Sequence, residues 1–289
     1  MSSLRPSDGG SDHPAGAGQP PGAAGTESDR NQPPEGIRTT SSPSPSVTRL
    51  VLVRHGEAVC NVAGVCGGRL GCSGLTERGV HQVELLRDRL AVTGELAGTD
   101  ALYASVLPRA IQTAEILAPS LVAGDADPLP VLDGEGPGLS VTSDCGLCEL
   151  HPGQADGLSW AQFTERFGQL DWDRDPDQII APGGESWTGF VNRAADTLEA
   201  IAARHRGQLV VVACHAGVIE ASLLALMPVA GGRQGARLQL RTHHASLTSW
   251  EVDEGRWRLL GYNDGAHLVS GVLAGAPGLR ALGTQPVGA

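Results

Sequence analysis

Apolar residues along this chain fall into short unbroken runs separated by longer stretches with helical spacing. Leu50-Val51-Leu52-Val53 is apolar throughout and only four residues long, the pattern of a strand buried on both faces. Leu209 to Cys214 reads the same way, and Ala101 to Ala104 is a third, shorter strand candidate. Between them, Leu107 to Leu117 predicts a helix burying Ile111, Ala114 and Leu117. Ser159 with Gln162 three residues on forms a capping box that opens a helix with Trp160, Phe163 and Phe167 on one face. From Thr188 to Arg206, Phe190, Ala194, Leu198 and Ile201 recur at helical spacing, Ser186 is the expected N-cap and Gly207 the expected stop. Leu247 to Val252 and Arg256 to Gly261, joined by Asp253-Glu254-Gly255, predict an edge hairpin. The alternation predicts an α/β fold: a three-layer α/β/α sandwich around a central, mostly parallel sheet.

The pattern fails at both ends. Residues 1–46 are rich in Gly, Pro, Ser and Asp and have little to bury, which predicts a disordered N-terminal tail. Residues 272–289, rich in Gly, Ala and Pro, predict a flexible C-terminal tail, leaving 47–271 as one folded, catalytic domain. Aromatic residues are 3% of the 289, so the core must be built from Leu, Val, Ile and Ala.

A formal net charge of −11 argues against a general nucleic-acid or anionic-membrane surface, so any anion site must be local. Every basic residue is Arg; without Lys, Schiff-base catalysis and a Walker-type phosphate loop are excluded. No apolar stretch reaches membrane-spanning length and no signal peptide opens the chain, which predicts a cytoplasmic protein with reduced cysteines.

Two predicted central strands end at histidines, Arg54-His55-Gly56-Glu57 after the first and His215-Ala216-Gly217 after the second. In parallel sheets, ligands bind at that edge. A neutral imidazole can attack phosphorus, guanidinium groups can hold phosphoryl oxygens, and Gly56 allows a sharp bend or the close approach of a phosphate. By itself Arg54-His55-Gly56 serves equally well as a strand-end turn.

Taken in order, the motifs resemble those of the histidine phosphatase superfamily, which includes the cofactor-dependent phosphoglycerate mutases. The resemblance spans residues 48–268. It rests on Arg54-His55-Gly56-Glu57, on Ser105-x-Leu107-x-Arg109-Ala110-x-Gln112-Thr113-Ala114 and on Cys214-His215-Ala216-Gly217. Leu147-Cys148-Glu149, followed by Gly153 to Gly157, resembles the family's acid-bearing loop. The resemblance implies hydrolysis of a small phosphorylated metabolite through phospho-His55, with no metal and no cofactor. Arg54, His55, Arg109 and His215 would bind the phosphate, with Asn61 as a further donor and His215 protonated. Glu149 would be general acid and then base, its acid form favoured beside a bound dianion. Glu57 is the competing carboxylate and otherwise orients the loop.

Transfer to a second position of the substrate, as in the mutases, is the alternative chemistry; the large mutases carry longer insertions near the acid loop. A non-catalytic phospholigand-binding regulator is the alternative from another class. No oligomeric state follows from the sequence. Between Gly67 and Thr76 the chain departs from the family pattern, with Cys72-Ser73-Gly74-Leu75-Thr76 where many members have Asp-x-Pro-Leu-Thr, so substrate contacts there, including any from Arg69, are not carried over. Cys145-x-x-Cys148 precedes Glu149, and Cys60, Cys66 and Cys72 follow the nucleophile; the two loops could converge on a metal or a disulfide. A lone CxxC is a weak metal signal, so plain reduced thiols are expected.

Overall fold

The computed structural model describes residues 46–122, 139–226 and 240–273; the two expected tails lie almost wholly outside them. Among the described residues one sheet holds β1 (Thr48–Arg54), β2 (Ala101–Ala104), β3 (Val141–Ser143), β4 (Leu209–Cys214), β5 (Leu247–Asp253) and β6 (Arg256–Asp264). Their spatial order is β3-β2-β4-β1-β5-β6. The first four run parallel, and β5 and β6 complete the sheet as an antiparallel edge hairpin. The helices are α1 (Val59–Ala63), α2 (Glu77–Thr93), α3 (Pro108–Leu117), α4 (Trp160–Phe167), α5 (Trp187–Arg204), α6 (Ala216–Leu226) and α7 (Ala266–Leu273). The last carries regular structure two residues past the expected boundary at 271.

Two cores form because a strand presents alternate residues to opposite faces. Leu50, Leu52, Val210 and Val212 pack against Phe190, Ala194, Leu198 and Ile201 of α5 and Val218 and Ile219 of α6. Val51, Val53, Val211 and Ala213 face the other way, onto Val83, Leu86 and Leu90 of α2 and Ala114 and Leu117 of α3. Every side chain of the two central runs is thus consumed, which is why they read as unbroken apolar sequence.

Local signals hold where side chain meets backbone. Ser159 Oγ accepts from the Gln162 amide at 3.2 Å while Gln162 Oε1 accepts from the Ser159 amide at 2.9 Å. Ser186 Oγ accepts from the Gly189 amide at 3.1 Å. Several expectations are corrected. α5 ends at Arg204, and Gly207, at φ 75°, serves the turn into β4 instead of stopping the helix. In α3 the buried stripe is Arg109, Ala110, Thr113, Ala114 and Leu117, with Ile111 only half-buried: the helix is rotated so that polar Arg109 and Thr113 face the strand ends. Trp160 is 38% exposed, so in α4 it is Phe163 that anchors the face. Helix α2 was not anticipated, although Val83, Leu86 and Leu90 carry helical spacing and Thr76 caps it by accepting from the Gly79 amide at 2.9 Å. No helix among the described residues is long and apolar enough to cross a membrane.

One backbone crossing ties the second core, through α2, to the strand ends. Gly56 and Gly79, at the start of α2, lie so close that a Cβ on Gly56 would collide with the Gly79 carbonyl, and a Cβ on Gly79 with the Glu57 carbonyl. Glycine at 56 therefore answers a helix and not a left-handed turn. Because the colliding atoms are backbone, relief requires moving the turn after β1. Gly79→Ala is expected to destabilise the fold by about 1–3 kcal/mol in urea denaturation, the usual range for overpacking, whereas Gly255→Ala, with open space around it, meets only its positive φ of 78°. Equal stability of Gly79→Ala and the unaltered chain would contradict the crossing.

Candidate active site

Strand register assembles the site. β1 and β4 pair in parallel with Arg54 opposite Cys214, and the His55 amide continues the ladder by donating to the Cys214 carbonyl at 2.9 Å. The next residues, His55 and His215, are therefore neighbours, with ring centroids 5.1 Å apart and planes inclined at 61°. Both are buried.

Hydrogen bonds fix which nitrogen of each ring is free. His55 Nδ1 faces the Gly56 carbonyl at 2.6 Å, and a carbonyl only accepts, so Nδ1 carries the proton and Nε2 the lone pair. Arg109 Nε donates to His55 Nε2 at 3.2 Å and to His215 Nδ1 at 3.3 Å. The remaining nitrogen of His215, Nε2, meets Ser105 Oγ at 2.7 Å and donates to it. One guanidinium N–H thus bridges the lone pairs of both imidazoles. Arg109 itself is steadied by Nη1 donating to the Gly67 carbonyl at 2.7 Å.

This arrangement keeps both rings neutral. Burial, then the neighbouring His215, Arg109 and Arg54, pull the pKa of His55 well below 6.5. Burial, Arg109 and Arg54 do the same to His215. In the ligand-free site His215 Nδ1 accepts from Arg109, so the protonated His215 expected beside a phosphoryl group requires a proton that arrives with the anion.

Arg54 stands on the other side of His55. Its Nη1 donates to the Thr242 carbonyl and its Nη2 to His244 Nε2 at 2.9 Å, while its buried Nε has no partner. Burial outweighs the attraction of Glu149 and brings its pKa down to about 10. An unpaired guanidinium N–H is costly to bury, and a phosphoryl oxygen is a fitting acceptor.

Glu149 reaches the site from the loop after β3. Its Oε2 accepts from the Gly217 amide in the first turn of α6 at 3.1 Å, and its Oε1 from the Leu150 amide at 3.2 Å. A Cβ on Gly217 would occupy the place of Oε1, which explains the glycine two residues after His215. Glu57 is engaged elsewhere: Oε1 accepts from Thr76 Oγ1 at 3.0 Å and Oε2 pairs with Arg78 at 3.3 Å, tying the nucleophile's loop to α2.

His55, Arg109 and His215 are thus brought into direct contact, Arg54 reaches them electrostatically and through His244, and Glu149 lies within electrostatic reach of Arg54. Asn61 is not in that network. It is exposed in α1, and its Oδ1 accepts from the Ala58 amide at 3.1 Å, leaving the amino group free. Arg69 is also exposed.

Sequence reasoning missed three participants. His244 lies with its ring centroid 5.6 Å from that of His55, tilted by 48°, and accepts from Arg54; burial and Arg54 lower its pKa to about 3. Its signal was a third histidine at a strand boundary, but before β5, whose antiparallel direction returns that end to the same sheet edge. Ser105 fixes His215, and Thr113 accepts from the Gly56 amide at 3.2 Å while donating to the Arg109 carbonyl at 2.8 Å. Both lay inside a quoted motif of which only the arginine was assigned. The two cysteine loops meet in an apolar cluster of Cys72, Leu107 and Cys148, yet the possible metal-ligand set lies within one loop, where His151 joins Cys145 and Cys148.

Comparison with known proteins gives the same picture. The histidine phosphatase superfamily (branch 1) matches residues 50–265. A metal-independent phosphoserine phosphatase of Arabidopsis thaliana is 30% identical over 227 residues, 78% of this chain and 84% of the relative. Phosphoserine phosphatase 1 of Hydrogenobacter thermophilus is 29% identical, over 63% of this chain and 78% of its own. Among solved structures, Bacillus stearothermophilus YhfR aligns with a TM-score of 0.62 at 25% identity, over 76% of this chain and 99% of its own. A mycobacterial glucosyl-3-phosphoglycerate phosphatase aligns with a TM-score of 0.57 at 28% identity, over 74% and 98%. A match that runs from the first core strand to the start of the last helix, in the order in which the strands build the site, makes this chain a member of the histidine phosphatase superfamily, branch 1.

Proposed function

We propose that the chain hydrolyses small phosphate monoesters by transfer of the phosphoryl group to Nε2 of His55 and then to water, with no metal in the reacting step. The observation that carries this reading is the pair of imidazole lone pairs turned onto one N–H of Arg109. A phosphate oxygen that replaces them as acceptor of that N–H lies between the nucleophile and a second ring able to donate. Fixed cationic donors stabilise the charge spread over the equatorial oxygens at little reorganisation cost.

His55 Nε2 forms the N–P bond as the ester P–O bond breaks, and the leaving alkoxide takes the proton of Glu149. Water then attacks phosphorus and gives its proton to Glu149. The N–P bond breaks, and inorganic phosphate leaves a neutral His55. Two backbone amides hold the Glu149 carboxyl in place through both steps. The names of the relatives, phosphoserine phosphatase and glucosyl-3-phosphoglycerate phosphatase, support a small monoester that also carries a carboxylate. A relative named 2,3-bisphosphoglycerate-dependent phosphoglycerate mutase, 28% identical, makes transfer to a second hydroxyl the alternative fate.

A panel including O-phosphoserine and 3-phosphoglycerate decides among these readings. Inorganic phosphate release is expected, with His55→Ala inactive and still folded; an isomerised phosphoester indicates a mutase, and binding without turnover a regulator. An undiminished rate in His55→Ala removes the mechanism.

The pH profile follows from the neutral rings. Because His55 is held well below 6.5, acid does not disarm it over the usual imidazole range. Neutral His215 needs one proton, which the substrate monoanion supplies, and Glu149 needs a second, taken up from solvent as the anion binds; a phosphoserine-type monoester loses its proton at about pH 6. kcat/KM for O-phosphoserine is therefore expected to fall as pH rises through about 6 and beyond. A rise between pH 5 and 7 following an ordinary imidazole titration would contradict the neutral pair.

The two carboxylates separate by leaving group. Glu149→Gln is expected to slow His55 phosphorylation by alkyl phosphates by about 10²–10⁴-fold, the usual value of a general acid, and by nitrophenyl phosphate far less. Glu57→Gln, which loosens Thr76 and Arg78, depresses both substrates alike. Single-turnover rates measure the difference, and leaving-group sensitivity in Glu57→Gln but not Glu149→Gln reverses the roles.

A further inference from the structure

Beside the phosphate site, the segment Cys145-Gly146-Leu147-Cys148-Glu149-Leu150-His151 folds back on itself through a single 3-10 turn, Cys145–Leu147. Cys145 Sγ lies 3.6 Å from Cys148 Sγ and 3.5 Å from His151 Nε2, and all three ligand atoms fall within 4.8 Å of one another. Tetrahedral zinc, with Zn–S of about 2.3 Å and Zn–N of about 2.0–2.1 Å, requires S···S of about 3.8 Å and S···N of about 3.5–3.6 Å. The separations of Cys145 Sγ from Cys148 Sγ and His151 Nε2 match both within about 0.2 Å, and the third pair lies within 4.8 Å. A disulfide needs its sulfurs at about 2.05 Å, so the pair as folded is spaced for a shared ligand and not for a bond.

The surroundings fit too. On its far side, His151 Nδ1 lies 3.5 Å from Glu185 Oε2. A carboxylate there favours the tautomer with its proton on Nδ1 and the Nε2 lone pair toward the sulfurs, as in the outer shell of histidine–zinc sites. Arg193 pairs with Glu185 at 2.7 Å and donates through Nη1 to the carbonyls of Cys145, Gly146 and Cys148. The loop's backbone is thus already braced on α5 while its three soft donors face one another. Thiolate and imidazole donors select zinc over magnesium or calcium.

We propose that Cys145, Cys148 and His151 bind one zinc ion, with solvent as fourth ligand, and that this ion braces the loop bearing Glu149. Binding replaces two thiol protons, which are released to solvent. Two thiolates, a neutral imidazole and Zn2+ leave the cluster without net charge. The ion is structural: it does not enter the phosphoryl transfer, whose nucleophile is His55.

The test uses the full chain, purified under reducing conditions, saturated with zinc and desalted. Close to one zinc per chain is expected by elemental analysis, with two protons released per zinc and two thiols protected from a thiol reagent. Cobalt in its place should give thiolate-to-cobalt charge-transfer absorption. Cys145→Ser/Cys148→Ser should lose the ion, and His151→Ala should weaken binding by at least about tenfold, both with an unchanged far-ultraviolet circular dichroism spectrum. Zinc should raise Tm for the unaltered chain and not for the double variant. A reduced, folded chain that retains no zinc, retention undiminished in the double variant, or a Cys145–Cys148 disulfide persisting under reductant overturns the proposal.

Discussion

The site rests on the backbone pairing of β1 with β4. Their ladder runs in register to Arg54 opposite Cys214 and is prolonged by the His55 amide, so the two residues that leave the sheet next are imidazoles side by side. Everything polar at the strand ends is arranged around that adjacency. Arg109 enters from the first turn of α3 because α3 buries its arginine face, and Thr113, one turn on, ties the same helix to the Gly56 amide. Gly56 and Gly79 let α2 press against the turn, so the nucleophile's loop is held from the helix side as well.

The second constraint is electrostatic. The whole chain carries a formal charge of −11, yet two buried guanidinium groups flank His55. Burial of the imidazoles themselves, and after it those guanidinium charges, lowers the pKa of both rings and of His244 beside them. Neutrality gives His55 its lone pair and at the same time makes the free site short of a proton. Anion affinity and proton demand thus meet at one place, where buried rings, costly to charge, stand beside two arginines.

The acid-bearing loop is supported differently from the rest. Glu149 does not sit on a strand end; its carboxyl is received by the first turn of α6, and its backbone hangs from Arg193 of α5. A loop positioned by side chains needs more bracing than one continuing a ladder, and the Cys145–His151 turn lies where such bracing acts.

The sequence by itself determined what depends on neighbours along the chain. The unbroken runs at 50–53 and 209–214 predicted buried strands, Ser159/Gln162 and Ser186 predicted caps that form as expected, and the hairpin at 247–261 followed from its turn. The strand-end histidines and the motif order carried the family and the candidates Arg54, His55, Arg109, Glu149 and His215. What the tertiary structure decided depends on partners distant in sequence: that Arg109 Nε bridges two rings from residues 55 and 215, with His215 Nδ1 as acceptor in the free site; that Glu149 and Glu57 part company, one meeting Gly217 and the other Thr76; and that His244 joins the site because an antiparallel strand reverses direction. Spacing along one chain encodes which face a residue occupies, but protonation and pairing are set by the charges and donors that folding brings within a few ångströms, and no single segment contains them.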